Sequence, residues 1–194
     1  MSGQRDEMIL VVDNGSSSAR ALVDAMRRLS GRVDSMTHEQ VGELDGYSGV
    51  VLSGRAAAGK ASNVNNARIL RAAEREGTPI LGICYGCEAL ALTFGGTLRR
   101  LESRTSEMRK VEVLKNNRLM RQREFLAYES HGFVVSRLPK TMDRLAASSV
   151  SVNEAFRVRG REIYGVQFHP ELSGESGMRI LRNFVEICAN RLPG

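Results

Sequence analysis

Pro79-Ile80-Leu81-Gly82-Ile83-Cys84-Tyr85-Gly86-Cys87-Glu88 is the stretch from which the rest of the chain can be understood. Its first half is an apolar run of strand character, and Glu88-Ala89-Leu90-Ala91-Leu92 beyond it has the composition of a helix. The two meet at Gly82-Ile83-Cys84-Tyr85-Gly86. A nucleophile between two glycines at a strand-to-helix turn forms an elbow, in which the glycines permit a strained backbone and the side chain stands exposed at the helix N-terminus. Free N–H groups and the helix dipole at such a terminus favour a thiolate. Cys84 is therefore the first candidate for a chemical role.

Outward from the elbow, strands and helices alternate. Met8 to Asp13 is a continuous apolar run, as in a parallel strand buried on both faces. Asn14-Gly15-Ser16-Ser17-Ser18 offers a turn with several helix caps, and Ala19 to Leu29 follows with helical spacing. Arg32 to Thr37 predicts a second strand, Val41 to Leu44 a short helical piece, Tyr47 to Gly54 a third strand with a glycine loop, and Asn65 to Arg75 a helix. The second half is cut into short strand-like pieces at Lys110–Leu114, Phe125–Tyr128, Phe133–Val135, Arg144–Ala147, Ala155–Val158 and Glu162–Phe168, before a closing amphipathic helix at Gly177–Asn190. This order predicts an α/β fold of flavodoxin type: a mostly parallel, doubly wound central sheet with helices on both faces and a small antiparallel sheet appended.

With 194 residues, the chain is expected to form one domain over residues 1–194, with residues 1–7 a flexible tail. Apolar content of 42% and charged content of 26% are those of a soluble globular protein, with no run long enough to span a membrane and no signal-type N-terminus. Three cysteines make no disulfide framework and point to a reducing cytoplasm. The net charge of +6 is spread along the chain among acidic residues, and aromatics are only 5%, so nucleic acid is not an expected partner.

Cys84 admits three readings. Cys84-Tyr85-Gly86-Cys87 is a C-x-x-C, but it lies mid-chain behind three strands and would leave the other polar clusters without a role. A metal site lacks a second Cys pair or a close histidine. A thiol nucleophile needs a base and a group to orient it. Tyr164-Gly165-Val166-Gln167-Phe168-His169-Pro170-Glu171 supplies them, since the proline ends a strand and the spacing lets the Glu171 carboxylate reach back to His169. His38 reads instead as a solvated loop residue. Gly54-Arg55-Ala56-Ala57-Ala58-Gly59-Lys60-Ala61 matches G-x-x-x-x-G-K, but Ala61 cannot supply the magnesium-binding hydroxyl that a phosphate loop requires.

The elbow together with Gln167-Phe168-His169-Pro170-Glu171 resembles the class I glutamine amidotransferase family, which uses a Cys-His-Glu triad. The similarity extends to the opening Ile-Leu-Val-Val-Asp-Asn segment, the Leu52-Ser53-Gly54 loop and the closing helix. It implies Cys84, His169 and Glu171 as catalytic residues, and the backbone N–H groups of Tyr85 and Arg55 as oxyanion donors. Ser53, Gly54, Glu88, Ser130, Gly132 and Phe133 are implied as substrate-binding, with His131 a further candidate in Glu129-Ser130-His131-Gly132-Phe133. The implied chemistry is hydrolysis of L-glutamine through a glutamyl thioester, with no metal or cofactor, and ammonia passing to a separate ATP-dependent synthetase subunit of ATP pyrophosphatase type. Within the family, the order of Ser130-His131-Gly132, Leu138-Pro139, Leu145 to Ser149 and Tyr164 to Gln167 is similar to the separate amidotransferase subunit of archaeal-type GMP synthases, which make GMP from XMP.

Two positions depart from the family pattern. The oxyanion loop usually reads Ser-Gly-Gly-Pro and here reads Ser53-Gly54-Arg55-Ala56, so a backbone conformation reserved for glycine would strain Arg55. Four residues after the cysteine a glutamine is usual, and here Glu88 stands. These leave open a degenerate amidotransferase fold with a binding or regulatory role; the shared motif order also leaves open the amidotransferase subunit of another synthase, such as the anthranilate type. Cys87 reads either as a small packed side chain or as a partner that could oxidise with Cys84.

Overall fold

The structure is a computed structural model, and it describes residues 8–55 and 59–190. The expected tail at residues 1–7 and Ala56 of the oxyanion loop lie outside the described residues. Among the described residues nine strands form one sheet, β1 (Met8–Asp13), β2 (Val33–Thr37), β3 (Tyr47–Leu52), β4 (Ile80–Ile83), β5 (Thr97–Val113), β6 (Glu124–Arg137), β7 (Met142–Ala147), β8 (Ala155–Val158) and β9 (Ile163–Val166). Their spatial order is β2-β1-β3-β4-β9-β8-β7-β5-β6. The pairs from β2 to β9 are parallel and those from β9 to β6 antiparallel. The antiparallel layer expected from the second half of the sequence is thus hydrogen-bonded into the main sheet through β8 and β9, not set apart from it.

Four helices cover the parallel half: α1 (Ala19–Ser30), α2 (Lys60–Glu76), α3 (Tyr85–Thr93) and α4 (Gly174–Ala189). Alternation along β1 shows how. Ile9 and Val11 pack with Leu22 and Met26 of α1 and with Ile180 and Phe184 of α4. Leu10 and Val12 face the opposite way, toward Ile69 and Leu70 of α2 and Leu90 of α3. A strand segment buried on both faces is apolar at successive positions, which is why residues 8–12 of β1, 50–52 of β3 and 80–83 of β4 stand out as unbroken runs.

Three expectations are corrected by packing. Val41–Leu44 is not helical; both end residues are buried in an irregular segment, and two apolar residues three apart mimic a helix face. The second helix begins at Lys60, well before Asn65, because Ser62 and Asn66 on its inner face are buried polar residues that hide the apolar period. Strand β5 runs back to Thr97 and β6 joins two expected strands into one, because most of this ribbon faces solvent and carries charge where a core strand would carry valine.

The C-terminal ends of β1, β3, β4 and β9 lead into Asn14–Ser18, Ser53–Arg55, Cys84 and Gln167–His169. In an open parallel sheet this edge is where ligands bind.

Candidate active site

Cys84 has φ +51°, the only positive value at a non-glycine among the described residues. The turn is enforced from both sides. Its own N–H donates to the Val166 carbonyl on β9 at 2.9 Å, and its carbonyl receives the Glu88 N–H of α3 at 3.0 Å. A side chain at Gly82 would lie 2.6 Å from the Gly86 carbonyl oxygen, and one at Gly86 would lie 2.5 Å from the Leu52 carbonyl oxygen. Only glycines let α3 start this close to β3 and β4, and the strain that results sits on Cys84. Tyr85, the first residue of α3, has an N–H without a partner inside the helix.

His169 follows β9 and is held from several directions. Its N–H donates to the Tyr128 carbonyl at 2.8 Å and its carbonyl accepts the Ser173 hydroxyl at 2.6 Å. Nδ1 lies 2.8 Å from Glu171 Oε1, so this nitrogen carries the proton and Nε2 is left for the thiol. Burial lowers the tendency of His169 to hold its charge, but hydrogen bonds and charge interaction with Cys84 and Glu171 outweigh it and raise its pKa to about 10. Thiol, imidazole and carboxylate are thus arranged in an order that can serve as nucleophile, proton carrier and orienter. Gly54 leaves the space beside the ring, since a Cβ there would meet His169 Cε1 at 3.1 Å.

Ser18 completes this group, although its place in the sequence marks it only as one of several helix caps. It occupies the N-cap position of α1 but makes no side-chain capping bond. Its hydroxyl donates to Glu171 Oε1 at 2.7 Å. A capping serine and a serine aimed across the sheet have the same sequence signature, and only the gathering of strand ends separates them. Ser18→Ala should weaken the hold on Glu171 and lower the turnover of the site about tenfold, the size of one hydrogen bond to a charged group. Unchanged turnover would deny Ser18 that role.

Ser53 is buried and receives the Asn14 N–H at 2.9 Å, so its hydroxyl is engaged in joining two strand-end loops. Arg55 does not have a positive φ, and the strain expected of it does not arise. Its guanidinium stacks 3.7 Å from the Tyr85 ring centroid and donates to Ser62 Oγ at 2.7 Å and Asn63 Oδ1 at 2.9 Å. Tyr85 in turn donates its hydroxyl to Asn63 Oδ1 at 2.8 Å, so the oxyanion loop, α2 and α3 are clamped together. Glu88 lies near Gln167, whose Nε2 donates to it at 3.4 Å; burial raises its pKa, opposed by Gln167 and by the charges of His131, Arg55 and Arg104.

Ser130 and Gly132 are half-buried on β6 and Phe133 is exposed. The Ser130 carbonyl is 3.9 Å from Cys84 Sγ, which brings this segment to the elbow thiol. His38 is not simply solvated, since its Nδ1 lies 3.0 Å from Asn65 Nδ2. Cys87 is fully buried with its thiol pKa pushed well up, chiefly by desolvation, and both elbow cysteines are free thiols, which suits a packed side chain.

The sequence profile described as Glutamine amidotransferase class-I matches residues 10–188. The chain belongs to this family. Among similar amidotransferases, the glutamine-hydrolysing GMP synthase subunit of Methanocaldococcus jannaschii is 34% identical over 188 residues, covering 93% of this chain and 97% of that one. The corresponding GMP synthase subunit of Pyrococcus furiosus is 33% identical over 189 residues, covering 93% and 98%. The crystal structure of a Thermoplasma acidophilum protein superposes with a TM-score of 0.85 at 30% identity, covering 94% of each chain.

Proposed function

We propose that this amidotransferase hydrolyses L-glutamine to glutamate and ammonia and delivers the ammonia to a separate ATP-dependent synthetase of ATP pyrophosphatase type, for the conversion of XMP to GMP in the cytoplasm. One observation carries the chemistry: a cysteine held at positive φ at a helix N-terminus, opposite a histidine whose other nitrogen is bonded to a buried carboxylate. The GMP assignment is supported by the similarity, over nearly their whole length, to proteins named as GMP synthase subunits. No helix among the described residues is long and apolar enough to cross a membrane.

In this reading, Cys84 Sγ attacks the side-chain amide carbon and the carbonyl electrons move onto oxygen. Backbone N–H groups of Tyr85 and Arg55 receive that oxyanion; such donors are worth about 10²–10³ in rate each. His169, holding its proton between Glu171 and the sulfur, delivers it to the departing nitrogen, and ammonia leaves with the carbon–nitrogen bond broken. Water then adds to the glutamyl thioester, His169 accepting its proton, and glutamate departs as the thiol is restored. Gly54, Glu88 and the backbone at Ser130, Gly132 and Phe133 hold the amino-acid end, with the Glu88 carboxylate suited to the substrate ammonium. Ser53 contributes by shaping the loop. These steps involve no metal or cofactor.

The test is ammonia release from glutamine, alone and with an ATP pyrophosphatase-type synthetase, ATP and XMP. Stimulated release with GMP formed is the expected result. Release without any stimulation or GMP would reject the GMP assignment. Because His169 must be protonated to act as the acid and its pKa is raised to about 10, the rate should hold from neutral pH upward and fall only as the pH passes about 10. A fall centred near the ordinary histidine value would contradict the pairing.

A further inference from the structure

Strand β6 pairs with β5 in regular register from Glu112 opposite Glu124 to Thr105 opposite His131, and pairing resumes only at Arg100 opposite Phe133. Residues 101–104 of β5 therefore lie across from Gly132 alone. The ladder lapses over the very segment assigned above to the substrate, so its backbone must be fixed by something else. Side chains do this. Arg104, from within the lapse, donates to the Ser130 carbonyl at 3.1 Å and to its hydroxyl at 3.3 Å. His131 Nδ1 lies 2.9 Å from the Phe133 carbonyl, which can only accept, so this nitrogen carries a proton.

The other nitrogen of His131 faces Glu129 Oε2 at 3.3 Å, and the same oxygen accepts from Arg109 Nε at 3.2 Å. Arg109 is anchored in turn on Ser149 Oγ at 2.7 Å, on Thr105 Oγ1 at 3.3 Å and on the Glu107 carboxylate. Glu129 and His131 are buried. Glu154, also buried and close to Glu129, has its pKa raised by burial and by that neighbour. Apolar residues would fill a buried site like this at equal or lower free energy. A chain of polar groups ending on one carbonyl fixes its direction, which apolar packing would not do.

We propose that Arg109 and Glu129 are positioning residues for glutamine: acting through His131, they fix the Phe133 carbonyl and the backbone from Ser130 to Phe133 that receives the amino-acid end of the substrate. This rests on the glutaminase reading. The experiment compares wild type, Arg109→Ala, Arg109→Lys and Glu129→Gln in the complex with the synthetase. It measures KM and kcat for glutamine, together with alkylation of Cys84 by iodoacetamide and by a glutamine analogue carrying a diazoketone in place of the amide.

Arg109→Ala and Glu129→Gln should raise KM about tenfold, equivalent to about 1.4 kcal/mol of binding, while kcat changes much less. They should slow the analogue by a similar factor and leave iodoacetamide unchanged, and Arg109→Lys should recover part of the loss. Should Arg109→Ala fail to fold, Glu129→Gln decides. Loss of kcat alone, equal slowing of both reagents, or elemental analysis showing a metal ion that depends on Glu129 would each overturn the proposal. A wild type with no preference for the analogue over iodoacetamide would instead reject the glutaminase reading, and this inference with it.

Discussion

Replacing Cys84 with alanine is expected to lower ammonia release from glutamine by on the order of 10⁴-fold or more, since nothing else in the site can form the thioester. The remaining cysteines cannot substitute. Cys87 and Cys188 are buried, and Cys87 faces the core between α3 and the sheet. The loss should be purely chemical. Alanine at a site with φ +51° bears the same kind of backbone strain as cysteine, so the fold and the docking of a synthetase should survive. Ammonia release by the variant equal to that of wild type, both with and without the synthetase, would reject the enzyme and favour a degenerate, regulatory amidotransferase fold.

The second large effect lies in the glycines. Gly86→Ala would place a Cβ 2.5 Å from the Leu52 carbonyl oxygen and 2.8 Å from the Leu52 Cβ. These contacts belong to a buried strand that cannot yield, so α3 must move off β3. We expect a loss of about 3 kcal/mol. In a chain of this length that corresponds to a fall in Tm of roughly 6–12 °C. Activity should fall further than stability, because the Tyr85 N–H moves with the helix. Gly42→Ala is the control: its added Cβ meets nothing within 4 Å at an ordinary φ, and a change within about 0.5 kcal/mol is expected. Equal melting of the two variants would show that the elbow does not depend on close approach.

How far the sequence could be read follows from what each residue has to do. Strands β1, β3 and β4 carry unbroken apolar runs, at residues 8–12, 50–52 and 80–83, because helices cover both faces. The elbow was legible for a related reason, since Gly82 and Gly86 mark two close approaches of backbone. His169 and Glu171 declared themselves by flanking a proline just beyond the apolar run of β9. Ser18 did not, because its hydroxyl acts across the sheet on a residue far away in sequence. Arg109 was hidden likewise: among the many charges of β5 nothing marks the one whose guanidinium turns inward to a buried glutamate. The departure at Arg55 looked costly from sequence and is not, because the side chain found a ring to stack on and the backbone kept an ordinary φ.

In the proposed mechanism, acylation of Cys84 by glutamine is the event on which every later step depends. Acid quenching of the chain during turnover with glutamine and the synthetase, followed by proteolysis and mass spectrometry, tests it most directly. A glutamyl adduct on the peptide containing Cys84, accumulating to a steady level and absent from Cys84→Ala, is the predicted result. Steady ammonia release with no adduct on that peptide, or with an adduct on a different residue, would contradict the account.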